Sequence, residues 1–174
     1  MISLAVCLAV SGCGASASKR VDASPVAQAQ ATHEYPSHAA APQRAAGGSA
    51  SASAAIAAFA SAYVNWTAQT VSDDMRALAA QSVGQARSAV LLAAAQTAGD
   101  YELQRGGIAN TGVVEAIAPL LAHGGQYVVV TRESTTATAT TAYQGLRPAW
   151  HVAIATVSEL GPGRWVVSGW QPES

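Results

Sequence analysis

The chain changes its hydrophobic period near Gly99, and that change limits the folds open to it. Before Gly99 the apolar residues recur at helical spacing; after it they alternate. Ile56, Phe59, Tyr63 and Trp66 follow one another at intervals of three, four and three, which places them on one helical face. A helix is predicted from Ala52. Such an aromatic stripe is either core packing or the wall of a ligand site, and packing is the commoner use. Ser72-Asp73-Asp74 reads as an N-cap with acids in the first turn, where the helix dipole favours them. The helix it opens carries Met75 and Leu78, and Gly84 is placed to end it in a left-handed conformation. A third helix is predicted from about Gln85 to Ala98 with Val90, Leu91 and Ala94 inward, closed by Gly99-Asp100.

Beyond Gly106-Gly107, which marks a turn, the pattern has period two. Thr111 to Ala118 is a predicted strand, ended or held at an edge by Pro119. Gly124-Gly125 turns the chain into Gln126 to Thr136. There Val128, Val130 and Arg132 share one face, and Tyr127, Val129, Thr131 and Glu133 share the other. The Thr-rich run to Thr141 is predicted to prolong this strand as a hairpin arm with a loop near Tyr143-Gln144-Gly145. Pro148 to Glu159 follows, with Trp150, Val152 and Ile154 expected on its buried face. Gly161-Pro162-Gly163 then returns the chain through Arg164 to Gln171. Three helices followed by at least four antiparallel strands define an α+β domain with helices on one face of a curved sheet.

Composition sharpens this. The chain has 174 residues, and although 50% are hydrophobic, only 6% are aromatic and 11% charged. Alanine supplies much of the apolar content and buries little area, so the core must lean on Val, Ile, Leu and Trp. A net charge of -1 leaves no electrostatic footprint for nucleic acid. Nine of the ten aromatics fall after position 50, which sets the start of the domain at residue 51. Residues 14–50 hold Ser, Ala, Gln, Pro and Gly and too little apolar area to offset the entropy of ordering. A flexible tether of that length reaches roughly 35 Å. His33 and His38 lie within it, spaced as isolated solvated side chains rather than as metal ligands.

The first residues point to export. Ile2 to Ala9 is an apolar run, followed by Val10-Ser11-Gly12-Cys13. An apolar segment ending in small residues is an export signal. With its Cys this stretch resembles a bacterial lipobox. The resemblance implies removal of residues 1–12, diacylation of Cys13, and a domain held at the extracytoplasmic face of the cell membrane. The basic residues that ordinarily precede such a run are absent; the first are Lys19 and Arg20. The run is shorter than the about 20 residues a spanning helix needs. Cys7 and Cys13 are the only cysteines, so cleavage before Cys13 leaves the mature chain without an internal disulfide. Two such cysteines without downstream partners do not make a zinc site.

The order of elements resembles the nuclear-transport-factor-2-like cone, a superfamily that includes ketosteroid isomerases and dehydratases. The likeness rests on the helical opening Ala54 to Tyr63 and on the closing hairpin His151-Val152-Ala153-Ile154 to Trp165-Val166-Val167-Ser168-Gly169-Trp170, and it covers roughly residues 52–172. It implies helices on a curved antiparallel sheet around a central cavity. Exported members of that superfamily often act in envelope machines.

No phosphate-cradling glycine loop, Gly-x-Ser-x-Gly elbow or His-Glu-x-x-His motif occurs, so no cofactor or metal is expected. An acid–base enzyme needs an ionisable group in an apolar cavity. The residues with that chemistry on strands or loops are Arg132, Glu133, Tyr143 and His151. Tyr63, Trp66, Glu133 and His151 are the expected pocket residues. Arg132 and Glu133, being adjacent, point to opposite faces, and an exposed charged strand end explains them equally well. Asp73, Asp74 and Asp100 are explained by helix capping. The leading expectation is a lipid-anchored, non-catalytic binding or assembly domain. Its partner would be an envelope protein that pairs along the sheet or the arm Ser134–Gln144. The alternative is a small-molecule-binding cone with weak isomerase or hydrolase activity. A cavity plugged by Trp66, Trp150 and Trp170 would favour the first, and a wide open one the second.

Overall fold

A computed structural model describes residues 43–121 and 123–173. The proposed signal, Cys13, His33 and His38 lie outside the described residues.

Helix α1 (Ala52–Val64) opens on Ser51, whose hydroxyl accepts from the Ala54 amide. It ends at Asn65, and β1 (Trp66–Thr67) takes Trp66 out of the helix, so the predicted aromatic stripe is split between two elements. Helix α2 (Val71–Ala80) has Thr70 rather than Ser72 at its N-cap position, without a side-chain cap bond, and Asp73 and Asp74 lie in its first turn as expected. Gly84 does adopt φ +59, yet it opens α3 (Gly84–Thr97) instead of ending α2. A Cβ there would meet the Ser168 carbonyl at 2.9 Å, so α3 starts pressed against the sheet. Ala86, Val90 and Ala94 form the buried stripe of α3, whereas Leu91, expected inward, is exposed. A short helix α4 (Tyr101–Gly106) follows where a loop was expected. Asp100 caps it through the Leu103 amide, so this acid opens a helix as well as following one.

The sheet runs β1–β2–β3–β4–β5, with β2 (Ile108–Pro119), β3 (Gln126–Ala137), β4 (Ala149–Glu159) and β5 (Trp165–Glu173) each antiparallel to its neighbour. Irregularities between Val114 and Ala116 and opposite Thr156–Val157 help curl it. This is the α+β arrangement of helices on a curled antiparallel sheet that the sequence predicts. Helices α1 and α3 pack on its inner face, with α2 behind them. The core gathers Ile56, Phe59, Met75, Leu78, Val90, Val129, Ala153, Ala155, Val167 and Trp170.

The alternation of β3 is as predicted, and the side carrying Val129 and Thr131 is the buried one. In β4 the prediction fails. Ala153, Ala155 and Val157 are buried, while Trp150 is 63% exposed and Val152 faces outward with it. The helices already supply the bulk of the core, so β4 contributes small side chains to it.

Both sheet edges are largely covered. Along β5, the Ser49 amide donates to the Trp165 carbonyl and the Val83 amide to that of Val167. The Gln85 side chain binds both the amide and the carbonyl of Trp170. Ala45 is buried with Val83 and Val166. Residues 43–50, the end of the expected tether, are therefore packed against the domain. Along β2, the Asn65 amide both donates to and accepts from the Gly112 backbone. The expected hairpin arm is absent as a free element. Ser134–Ala137 pair with β2, and the amides of Thr138 and Ala139 donate to the Gly106 carbonyl.

Candidate functional site

Toward the β3–β4 connection, the space between helices and sheet is left open as a cavity of about 560 Å³. The cause is a change in side-chain size along the inner face. At one end that face is filled by Phe59, Tyr63 and Trp170, whose rings sit 5.2–6.1 Å apart. At the other end it carries Asn110, Thr131, Glu133, Thr135, Ala149 and His151, which do not span the gap to Val71 and Met75 of α2 or Ala93 and Thr97 of α3. Tyr63 forms the inner limit of the cavity, Trp66 one wall, and Leu146 and Arg147 the mouth.

All four residues expected at a pocket, Tyr63, Trp66, Glu133 and His151, line this one cavity. Two other candidates are elsewhere. Arg132 points to the outer face, bonded to Glu115 at 2.7 Å and set 6.0 Å from the Trp150 ring. Tyr143 lines a separate cleft beside α4.

The polar floor centres on Glu133. Thr131 Oγ1 donates to Glu133 Oε1 at 2.6 Å, and Asn110 Nδ2 donates to Oε2 at 2.8 Å. Asn110 is itself fully engaged. Its Nδ2 also donates to the Val64 carbonyl at 2.8 Å, and its Oδ1 accepts from Thr135 Oγ1 at 3.0 Å. Both donors and the acceptor of the amide are thus used, which fixes its orientation. Asn110 and Thr131 are buried, so these bonds replace water they cannot reach. Gly112 lies beneath the end of α1, where a Cβ would meet both Val64 and Glu133 side chains at 2.9 Å. The backbone approach it permits lets the α1 terminus, Asn110 and Glu133 share one site.

Two neutral donors hold the Glu133 carboxylate, and among the described residues no cation does. The ion pairs among the described residues are Arg76–Asp73 and Arg132–Glu115. Each carboxylate oxygen keeps capacity for a further donor. Burial, and then the nearby negative charge of Glu133, raise the Tyr63 phenol above its ordinary pKa. The Trp170 indole acts in the opposite direction, although its N–H reaches hydrogen-bonding geometry with no acceptor. Tyr63 is therefore a neutral phenol throughout the physiological range.

Sequence reasoning missed Asn110, Thr131 and Thr135. The phase of β3 places Thr131 and Thr135 beside Glu133, a legible signal. Asn110 was hidden because the strand was started at Thr111. Among the described residues no cluster of three His, Cys, Asp or Glu side chains is arranged to hold a metal ion, and no helix is long and apolar enough to cross a membrane.

Fold and site together define an α+β domain of helices on a curled antiparallel sheet, with an open cavity floored by one carboxylate. No family model matches the chain, and no curated protein matches it. Ten chains of solved structures do match. One is the VirB8 protein of Agrobacterium tumefaciens, at 12% identity over 70% of this chain and 90% of that one, with a TM-score of 0.49. At that identity and score the likeness assigns no residue and no activity.

Proposed function

We propose that this chain is a non-catalytic binding domain of the cell envelope and that the cavity between α2, α3 and the sheet is its binding site. The observation that carries the reading is the cavity itself. It is open, lies within the roughly 300–1,000 Å³ range of small-molecule sites, and combines apolar walls with a few convergent polar groups. Trp150 faces outward and Trp170 is packed below Tyr63, so neither plugs it, and an open cavity favours the small-molecule-binding alternative over a plugged assembly domain. Binding rather than turnover is favoured by the floor. Glu133 is oriented by bonds from Thr131 and Asn110, and among the described residues it shares no hydrogen bond with His151, so the floor presents a held carboxylate rather than a paired acid and base.

The lipobox-like Val10-Ser11-Gly12-Cys13 supports export and attachment to the membrane through a diacylated Cys13. A second reading, assembly with another envelope protein, is favoured by the exposed Val113, Trp150 and Val152 on the outer face of the sheet. It does not draw on Ser134–Gln144, whose first residues are engaged in the sheet.

Small amphipathic molecules should raise the melting midpoint of the full chain, and Trp66→Ala should remove that shift while leaving the unliganded midpoint within a few degrees. A wild-type protein that no such molecule stabilises argues against the cavity. In cells, Cys13→Ser should release the protein from the membrane fraction or leave the signal uncleaved. Mass spectrometry finding an unmodified Cys13 in the mature wild type would overturn the anchor.

A further inference from the structure

We propose that the cavity selects an organic ammonium ion, a primary or secondary amine on an apolar body, and that the Glu133 carboxylate is the group that recognises it. The inference rests on the binding reading above and adds the charge and chemistry of the ligand.

Glu133 is the one acid among the residues lining the cavity. It stands on the inner face of β3, half-buried, oriented by Thr131 and Asn110 and, among the described residues, without an ion-pair partner. A carboxylate withdrawn from bulk water loses hydration that two neutral donors only partly replace, and a cation in the adjacent space restores it. Bonds from N⁺–H to a carboxylate are short and about twice as strong as neutral ones. Because the unused lone pairs ask for N–H donors, a protonated amine fits better than a quaternary ammonium.

The walls agree with that choice. Tyr63 and Trp66 present aromatic rings and Met75 a polarisable thioether, surfaces that take the carbon skeleton of such a ligand and whose rings attract its charge. The Tyr63 phenol, neutral at physiological pH and pushed further from ionising by burial and by Glu133, acts as a neutral wall and hydrogen-bonding group. Two basic groups also line the cavity, Arg147 at its mouth and His151 on the inner face of β4 opposite Thr131, and both side chains are exposed to solvent. Solvent screens them there, and Arg147 is not paired with Glu133.

The test is calorimetric titration of the full chain with phenethylamine and two analogues of similar shape, 2-phenylethanol and 3-phenylpropionate. The amine should bind at least about tenfold more tightly than the alcohol, the range expected for a hydrogen bond to a charged group. Glu133→Gln should bring the amine to the affinity of the alcohol and leave the alcohol unchanged. If that variant lowers the melting midpoint, the ranking of the three probes on the wild-type protein decides alone. Equal binding of amine and alcohol, or tighter binding of the propionate, overturns the ammonium inference while the cavity reading stands. Absence of binding by all three overturns the inference, and the stabilisation screen then decides the cavity reading separately.

Discussion

The two faces of the sheet are built from similar residues and behave oppositely. The inner face is packed beneath α1 and α3: β4 meets them with Ala153, Ala155 and Val157, β3 with Val129 and β5 with Val167 and Trp170, while Phe59 and Met75 fill in from the helices. The outer face carries Val113, Val128, Val130, Trp150, Val152 and Ile154, and among the described residues no helix lies over them. Side-chain size is thus a poor guide to which face is covered. What decides is the partner: the face opposite the helices' apolar stripes is buried, and in an Ala-rich chain that face can hold the smaller residues. The same economy opens the cavity, since the small and polar inner residues near the β3–β4 connection leave a gap that Val71 and Met75 do not fill.

Trp170→Ala should produce the largest loss, about 3–5 kcal/mol, because the indole is 3% exposed and packed against Phe59 and Tyr63. Its unpartnered N–H lowers the benefit of keeping it without cancelling the burial. Denaturant unfolding gives the number, and a loss near 1 kcal/mol would mean that the inner face is not the tightly packed one.

Asn110→Ala comes next at about 1–3 kcal/mol, the cost of leaving buried partners unsatisfied. The Val64 carbonyl and Glu133 Oε2 would each lose a donor and Thr135 an acceptor. Glu133 would also lose one of the two bonds that orient it, so amine binding should weaken along with stability. Stability that falls while binding is untouched would separate the floor from the site.

Much of this was legible in advance, and the failures share a cause. The alternation Tyr127, Val129, Thr131, Glu133 could be read directly, because one side of β3 mixes polar groups with valines while the other ends in Arg132. His151 could likewise be placed opposite Trp150. Which side of β4 faces the helices could not be read, since Trp150-Val152-Ile154 and Ala153-Ala155-Val157 are both apolar and the larger set attracted the assignment. Leu91 failed for the same reason. It lies beside Val90 and Ala94 in a helix whose apolar residues run all round, so period alone does not choose its face. Cavity residues from α1, β1 and β3 were within reach because aromatic and acidic side chains stand out in an Ala-rich chain. Asn110 was not, because its place beside Glu133 depends on cross-strand register.

A smaller effect tests the corner where, among the described residues, the outer side of the sheet is covered. Residues 43–50 bury Ala45 against Val83 and Val166, pair Ser49 with Trp165, and place the Gln43 side chain 2.7 Å from the Gly84 amide. Composition alone predicts that a chain starting at residue 51 melts like one starting at residue 43. The packing predicts a loss of about 1–2 kcal/mol, the sum of a few exposed hydrogen bonds and one small apolar contact. Comparing unfolding midpoints of chains beginning at residues 43 and 51 gives the answer, and equal midpoints would return the segment to the tether.

Trp150→Ala should have the smallest effect, below about 1 kcal/mol, although it removes the largest side chain of β4. The ring is mostly in water, and its one specific contact is with Arg132, whose guanidinium lies 6.0 Å from the ring centre. Exposed pairs of that kind contribute about 0.5–1 kcal/mol. Arg132 keeps its bond to Glu115 when the ring is gone, so the strand register at Arg132–Trp150 should survive. Against about 3–5 kcal/mol for Trp170 on the same sheet, this pair of tryptophans measures the asymmetry of the two faces directly. Equal losses at both positions would mean that the outer face is also covered in the protein as it occurs in solution. A concentration-dependent loss confined to Trp150 would identify that cover as a second copy of the chain.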